Sequence, residues 1–105
     1  MKNRTIIITS KRTQGLGPLL FGAPTEGVEY SIIFFGDGVY SLIKDSEEYE
    51  NLRRKVPTSA DLFACKEDVD CRGLAMRIPE SVRSLQYDEI AGLIMDDGSK
   101  VMNYG

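Results

Sequence analysis

Two cysteines, Cys65 and Cys71, are the side chains in this sequence best suited to covalent chemistry. There is no histidine. That excludes Ser-His-Asp and Cys-His catalysis within the chain, and the usual zinc ligand sets that need imidazole. A thiolate can act without a general base, at a rate set by its ionised fraction and its access. Cys65 is expected where a strand ends and a helix begins. Free N–H groups and the helix dipole there favour an anion. Lys66 and Arg72 would add positive potential, while Glu67 and Asp68 are expected to face solvent as first-turn acids. Cys71 lies a turn and a half later and should point elsewhere. Six helical residues rise about 9 Å, beyond the ~7 Å limit between Cα atoms of a disulfide, so the two should not pair. A single cysteine is often just a small buried hydrophobe, and position alone leaves that reading open.

The elements that must position Cys65 follow from the pattern of apolar runs. RTIIIT, Arg4 to Thr9, is β-branched and reads as a buried strand. A polar loop follows, then a short helix over Leu16 to Phe21 that Gly22 and Pro24 end. Glu29 to Phe35 is a second buried strand. It runs directly into Gly36-Asp37-Gly38 and then the apolar VYSLI. A strand buried on both faces must leave the sheet sharply and start a helix that packs back on it. Gly36 and Gly38 allow tight backbone angles, and Asp37 can cap the helix. Val39, Tyr40, Leu42 and Ile43 then cover the sheet. Ser46 is an N-cap for a helix that stops at Pro57. SADLFA, Ser59 to Ala64, is a third strand. Lys66 to Arg72 is a short helix ended by Gly73. Val82 to Leu85 is a short strand. Tyr87 to Met95 is a helix with Ile90, Leu93 and Ile94 on one stripe, and Lys100 to Tyr104 a last strand.

Strands alternating with helices predict a single α/β domain over residues 1–105, a three-layer sandwich. Its four or five mainly parallel strands should have Arg4–Thr9, Glu29–Phe35 and Ser59–Ala64 at the centre. Reactive groups in such sheets sit past the carboxyl ends of the strands. The 105 residues suffice for one core without metal or disulfide staples. A net charge of −3 and a pI near 4.9 argue against direct nucleic-acid binding. Arg53-Arg54-Lys55, preceded by Glu47, Glu48 and Glu50, reads as a solvated helix face. No window approaches a membrane span, and two cysteines are too few for a secreted disulfide framework. A reducing cytoplasm is the expected compartment. Gly15-x-Gly17 lacks the remaining signature of a phosphate loop. Asp96-Asp97-Gly98 reads as a turn rather than a metal site. No cofactor or metal is expected.

FFGDGVYSL and FACKEDVDCRGL together resemble the DsrE/DsrF/DsrH-like family, which includes the TusB, TusC and TusD sulfur-relay subunits. In that family a strand ends in an F-x-x-D-G-V-like motif followed by a helix. The spacing of Cys65 to Gly73 is similar to that of the DsrE/TusD sulfur-accepting cysteine to its R-G glycine. KEDVDCRGL, the short length and the ending SLQYDEIAGLIMDDGSKVMNY resemble DsrH/TusB, whose members commonly lack a cysteine at the position of Cys65. Cys71 falls where that pattern has alanine, which implies packing.

The resemblance implies a persulfide relay in tRNA thiolation or dissimilatory sulfur metabolism. Cys65 would be the carrier, in a pocket shaped by Gly36, Asp37, Gly38, Thr13, Gly15 and Lys66. The Cys65 thiolate would attack a donor persulfide, take the outer sulfur, and yield it to an acceptor thiol. Persulfide donor and acceptor proteins are the implied partners. Association as a homo-oligomer, or a hetero-oligomer with related subunits, is implied as well, through apolar residues near Phe21, Val39 and Tyr40. The second reading is a non-catalytic subunit or small-ligand module of the same fold. A fully buried Cys65 would favour that second reading.

Overall fold

Alternating β-branched runs and capped helical segments produce a five-stranded sheet, every strand parallel to its neighbours. The computed structural model describes residues 4–10, 29–55, 60–95 and 99–104. The strands are β1 (Arg4–Thr9), β2 (Glu29–Phe34), β3 (Asp61–Cys65), β4 (Arg83–Leu85) and β5 (Ser99–Tyr104). Their order across the sheet is β4-β3-β2-β1-β5. The three central strands are therefore the three expected ones. The helix expected over Leu16 to Phe21 lies outside the described residues.

Alternation along the strands divides the core in two. Ile7, Ile32, Phe34, Leu62 and Ala64 point to one face. Ile6, Ile33, Phe63, Cys65 and Leu85 point to the other. Both sets are buried, as a parallel sheet covered on both faces requires. The first face is covered by helix α1 (Glu47–Lys55), helix α2 (Lys66–Cys71) and the segment after β2, through Val39, Leu42, Tyr49, Leu52 and Val69. Helix α3 (Tyr87–Ile94) covers the second, with Ile90 buried and Leu93 and Ile94 packed beside it. Each large side chain fully buried here contributes roughly 1.5–3 kcal/mol.

Local chemistry sets the element ends. Ser46 Oγ accepts the Tyr49 N–H at 3.1 Å and donates to the Ile43 carbonyl at 2.7 Å, so it caps α1 as expected. Ser46→Ala is expected to lower stability by about 1 kcal/mol. The check is a shift of the urea midpoint at unchanged slope. Helix α2 ends in a Schellman motif: Leu74 N–H reaches the Val69 carbonyl at 2.9 Å and Gly73 N–H the Asp70 carbonyl at 3.1 Å. Gly73 has φ +67°, which explains a glycine there. Gln86 and Glu89 form a capping box that starts α3.

Most boundaries fall within a residue of expectation, and two differences bear on the site. The third strand begins at Asp61 and runs through Cys65, which stays extended (φ −69°, ψ 117°) and pairs in register with Leu85. The segment after β2 is a 3-10 helix over Gly36–Leu42 rather than an α-helix starting at Val39. Val39 and Leu42 still cover the sheet, with Tyr40 and Ile43 partly buried beside them. Val39 is therefore core rather than spare surface for association. Phe21 lies outside the described residues. Among the described residues, the exposed large apolar side chains are instead Met76, Met95, Tyr87 and Val101. No described helix is long and apolar enough to cross a membrane.

Candidate functional site

The carboxyl ends of β2 and β3 lie side by side, with Phe34 opposite Ala64. The chain turns out of the sheet at Gly36, where φ is +49°. A side chain at this position would be strained by that angle rather than by its neighbours, the nearest being Ser10 atoms at 3.9 and 4.0 Å. Gly38 is buried but outside the left-handed region, and its N–H donates to the Phe35 carbonyl at 2.8 Å. Among the two glycines of the turn, only Gly36 needs its conformational freedom.

Asp37 does not cap the helix that follows it. Phe35 is the N-cap residue and makes no side-chain cap. Asp37 is exposed and accepts from Arg72 Nη2 at 3.2 Å. Asp68 binds the turn instead. Its Oδ2 accepts the Gly36 N–H at 2.9 Å and its Oδ1 accepts from Arg72 Nη1 at 3.3 Å. The Arg72 guanidinium also lies 5.8 Å from the Tyr40 ring centroid, within cation–π range. A short cross-brace thus joins the turn after β2 to the helix after β3. Burial alone would raise the Asp68 carboxyl. The Gly36 N–H, the Cys65 thiol and the Arg72 charge outweigh it and hold the group below the ordinary carboxylate range.

Cys65 is the last residue of β3 and the N-cap of α2. Its side chain points into the face covered by α3 and is 0% exposed. The thiol donates to Glu67 Oε1 at 3.8 Å. Glu67 also accepts the Tyr87 N–H at 3.3 Å through Oε2, so one carboxylate links the thiol to the first residue of α3. Burial pushes the Cys65 thiol up. The Asp68 N–H and the Tyr87 hydroxyl pull it back only in part, and the Asp68 carboxylate adds to the rise. The same contact with Cys65 pushes the Tyr87 hydroxyl up to about 12.

These contacts revise the sequence reading in five respects. The strand end and helix start do meet at Cys65, but desolvation and the nearby acid outweigh the helix N–H groups. Glu67 and Asp68 turn toward the thiol and the turn instead of solvent alone. Lys66 is exposed and pairs with Asp70 at 2.7 Å, which raises its pKa and takes its charge away from the thiol. Arg72 is spent on Asp68 and Asp37. Cys71, expected to pack, is exposed, as an end-of-helix residue on the solvent side.

Of the pocket residues read from sequence, Gly36, Asp37 and Gly38 gather beside α2, while Thr13 and Gly15 lie outside the described residues. Tyr87 was the missed neighbour of Cys65. The signal for it was the capping-box pair Gln86 and Glu89, which fixes Tyr87 as the first residue of the helix above the thiol. Among the described residues, no group of three or more acidic or cysteine side chains is arranged to hold a metal ion.

Three solved structures share this architecture. MTH1491, a protein of unknown function from Methanobacterium thermoautotrophicum, is 17% identical with TM-score 0.76, covering 96% of this chain and 98% of that one. BT1422, a conserved protein of unknown function from Bacteroides thetaiotaomicron, is 14% identical with TM-score 0.77, covering 97% and 95%. The ychN protein from E. coli is 14% identical with TM-score 0.67, covering 99% and 100%. These likenesses show the fold. A search of curated proteins gave no match. The model of the family described as DsrH like protein matches residues 26–99, which takes in the Gly36 turn, Cys65 and α3. The chain therefore belongs to the DsrH-like family.

Proposed function

We propose that this chain serves a sulfur-relay system as a DsrH-type subunit that does not itself carry sulfur, at least with Cys65 enclosed as it is here. Membership of the DsrH-like family supports the sulfur-relay setting at a coarse level. The observation that carries the choice of role is the 0% exposure of Cys65. Persulfide exchange needs the attacking sulfur ionised and within bonding reach of a donor sulfur. Burial opposes both. The raised thiol, with Asp68 and Glu67 beside it, makes the anion scarcer still.

One arrangement favours the carrier role instead. The Asp68 N–H and the Tyr87 hydroxyl both lower the thiol's pKa and would favour an anion there if the site opened. Intact mass after incubation with a persulfide donor separates the two roles. The non-carrier subunit gains no sulfur at Cys65, whatever happens at exposed Cys71. Uptake of one sulfur atom that reducing agent reverses, that Cys65→Ser abolishes and that Cys71→Ser leaves intact, makes Cys65 the carrier. The test applies to the chain alone and again with any copurifying related subunit.

A further inference from the structure

A cleft of about 300 Å³ opens on the face of the sheet covered by α3, between that helix and residues of β2, β3 and β4. Its volume is at the small end of the range for ligand sites (~300–1,000 Å³). Phe63, Leu85 and Leu93 give it an apolar lining, and Ser31 a hydroxyl-bearing one. Three charged side chains, Asp61, Arg83 and Glu89, complete the wall. Their register is fixed by the sheet. Asp61 pairs with Ser31 across β2 and β3, and Arg83 pairs with Phe63 across β3 and β4.

The charges are not used up on one another. Arg83 lies over the Phe63 ring at 5.8 Å and makes no ion pair among the described residues. Asp61 likewise has no ion pair among them. Glu89 is partly committed, since its Oε1 accepts the Gln86 N–H at 3.1 Å in the capping box. The cleft therefore presents one open anion and one open cation on either side of an aromatic surface.

We propose that this cleft binds a small zwitterion, an α-amino acid with a branched apolar side chain. The ammonium would sit on Asp61, the carboxylate on Arg83, and the side chain against Phe63, Leu85 and Leu93. The spacing suits this. Asp61 and Arg83 are one strand and two residues apart, roughly 8 Å between their Cβ atoms from sheet dimensions. An α-amino acid spans roughly 3 Å from ammonium to carboxylate oxygen. Side chains on one face of a sheet rise roughly side by side, so the charged ends keep a similar separation, which the ligand and a hydrogen bond of about 2.8 Å at each end span. A simple anion would leave Asp61 and Glu89 facing it. A simple cation would face Arg83. Only a molecule with both charges satisfies both walls.

Titration with L-leucine, followed through the backbone amide signals of the isotope-labelled chain, is the test. A ligand this small should bind at roughly millimolar strength. The expected result is saturable shifts at Ser31, Asp61, Phe63 and Arg83. N-acetyl-leucine lacks the ammonium and leucinamide lacks the carboxylate, and both should bind at least tenfold more weakly. Arg83→Met, which keeps most of the stem over Phe63, should weaken leucine by a similar factor, and so should Asp61→Asn. Both residues are exposed at strand starts, so the unliganded spectra of the variants should remain those of the folded chain. No shift at these residues up to the solubility of leucine overturns the proposal. So does either analogue binding as tightly as leucine, or full binding by both charge variants.

Discussion

Native protein treated with iodoacetamide is expected to be labelled at Cys71 at least about a thousand times faster than at Cys65. Cys71 is an exposed thiol. Cys65 is 0% exposed beneath α3, and reagent reaches it only when that cover lifts. The labelling rate of an enclosed group is its intrinsic rate multiplied by the fraction of time it is open. If opening approaches global unfolding, at ~5–15 kcal/mol, protection is at least about 10³-fold, since each ~1.4 kcal/mol is tenfold. The raised thiol adds to the difference. Labelling of Cys65 should begin to climb at a higher pH than labelling of free cysteine, because burial holds its thiol protonated. Peptide-level mass spectrometry over a time course reads both rates. Rates within tenfold of each other would mean that α3 opens readily, and the carrier reading of Cys65 would then displace the subunit reading. Complete protection of Cys65, relieved only under unfolding conditions, fits a side chain kept for packing.

The sheet was legible in the sequence because buried parallel strands are continuous β-branched runs. RTIIIT and EYSIIF admit few other readings once Gly and polar segments bound them. A mainly parallel sheet covered on both faces followed from alternation with helices, and the three expected runs lie at its centre. The site was less legible, because side-chain direction at a strand–helix junction depends on a single residue of register. Extending the third strand by one residue, to Cys65, commits that side chain to the face covered by α3. The FFGDGVYSL turn was read correctly as a sharp exit, with Gly36 supplying the left-handed angle. Its acid was assigned to the wrong neighbour. Asp37 is adjacent in sequence to the helix it was expected to cap, whereas the partner of the turn is Asp68, separated from Gly36 by 32 residues. Helix-capping rules are local, and no local rule reports a carboxylate arriving from the next βα unit.

Asp68→Ala is accordingly expected to be the most damaging polar substitution in the site, costing about 2–3 kcal/mol in urea unfolding. Asp68 is mostly buried, with its side chain 19% exposed, and its two oxygens answer different donors. Oδ2 holds the Gly36 N–H at 2.9 Å and Oδ1 the Arg72 guanidinium at 3.3 Å. A hydrogen bond to a charged group is worth about 1.5–3 kcal/mol, and a buried donor left unpaired costs about 1–3 kcal/mol. Asp68→Asn keeps a carbonyl oxygen for Gly36 but gives up the charge facing Arg72, so it should cost less than the alanine change. The pH dependence distinguishes the charge from the shape. The folded carboxyl lies below its unfolded value of about 3.9. Its contribution is therefore complete above the unfolded value and is lost as pH falls through the folded one. The stability gap between wild type and Asp68→Asn should be constant from about pH 5 upward and should narrow below about pH 4. Asp68→Asn should also let the Cys65 thiol ionise at lower pH, because one of the acids that opposes the thiolate is gone. A gap that stays open at low pH would show that the carboxylate's charge does not brace the turn. An unchanged Cys65 titration would show that burial alone keeps the thiol protonated.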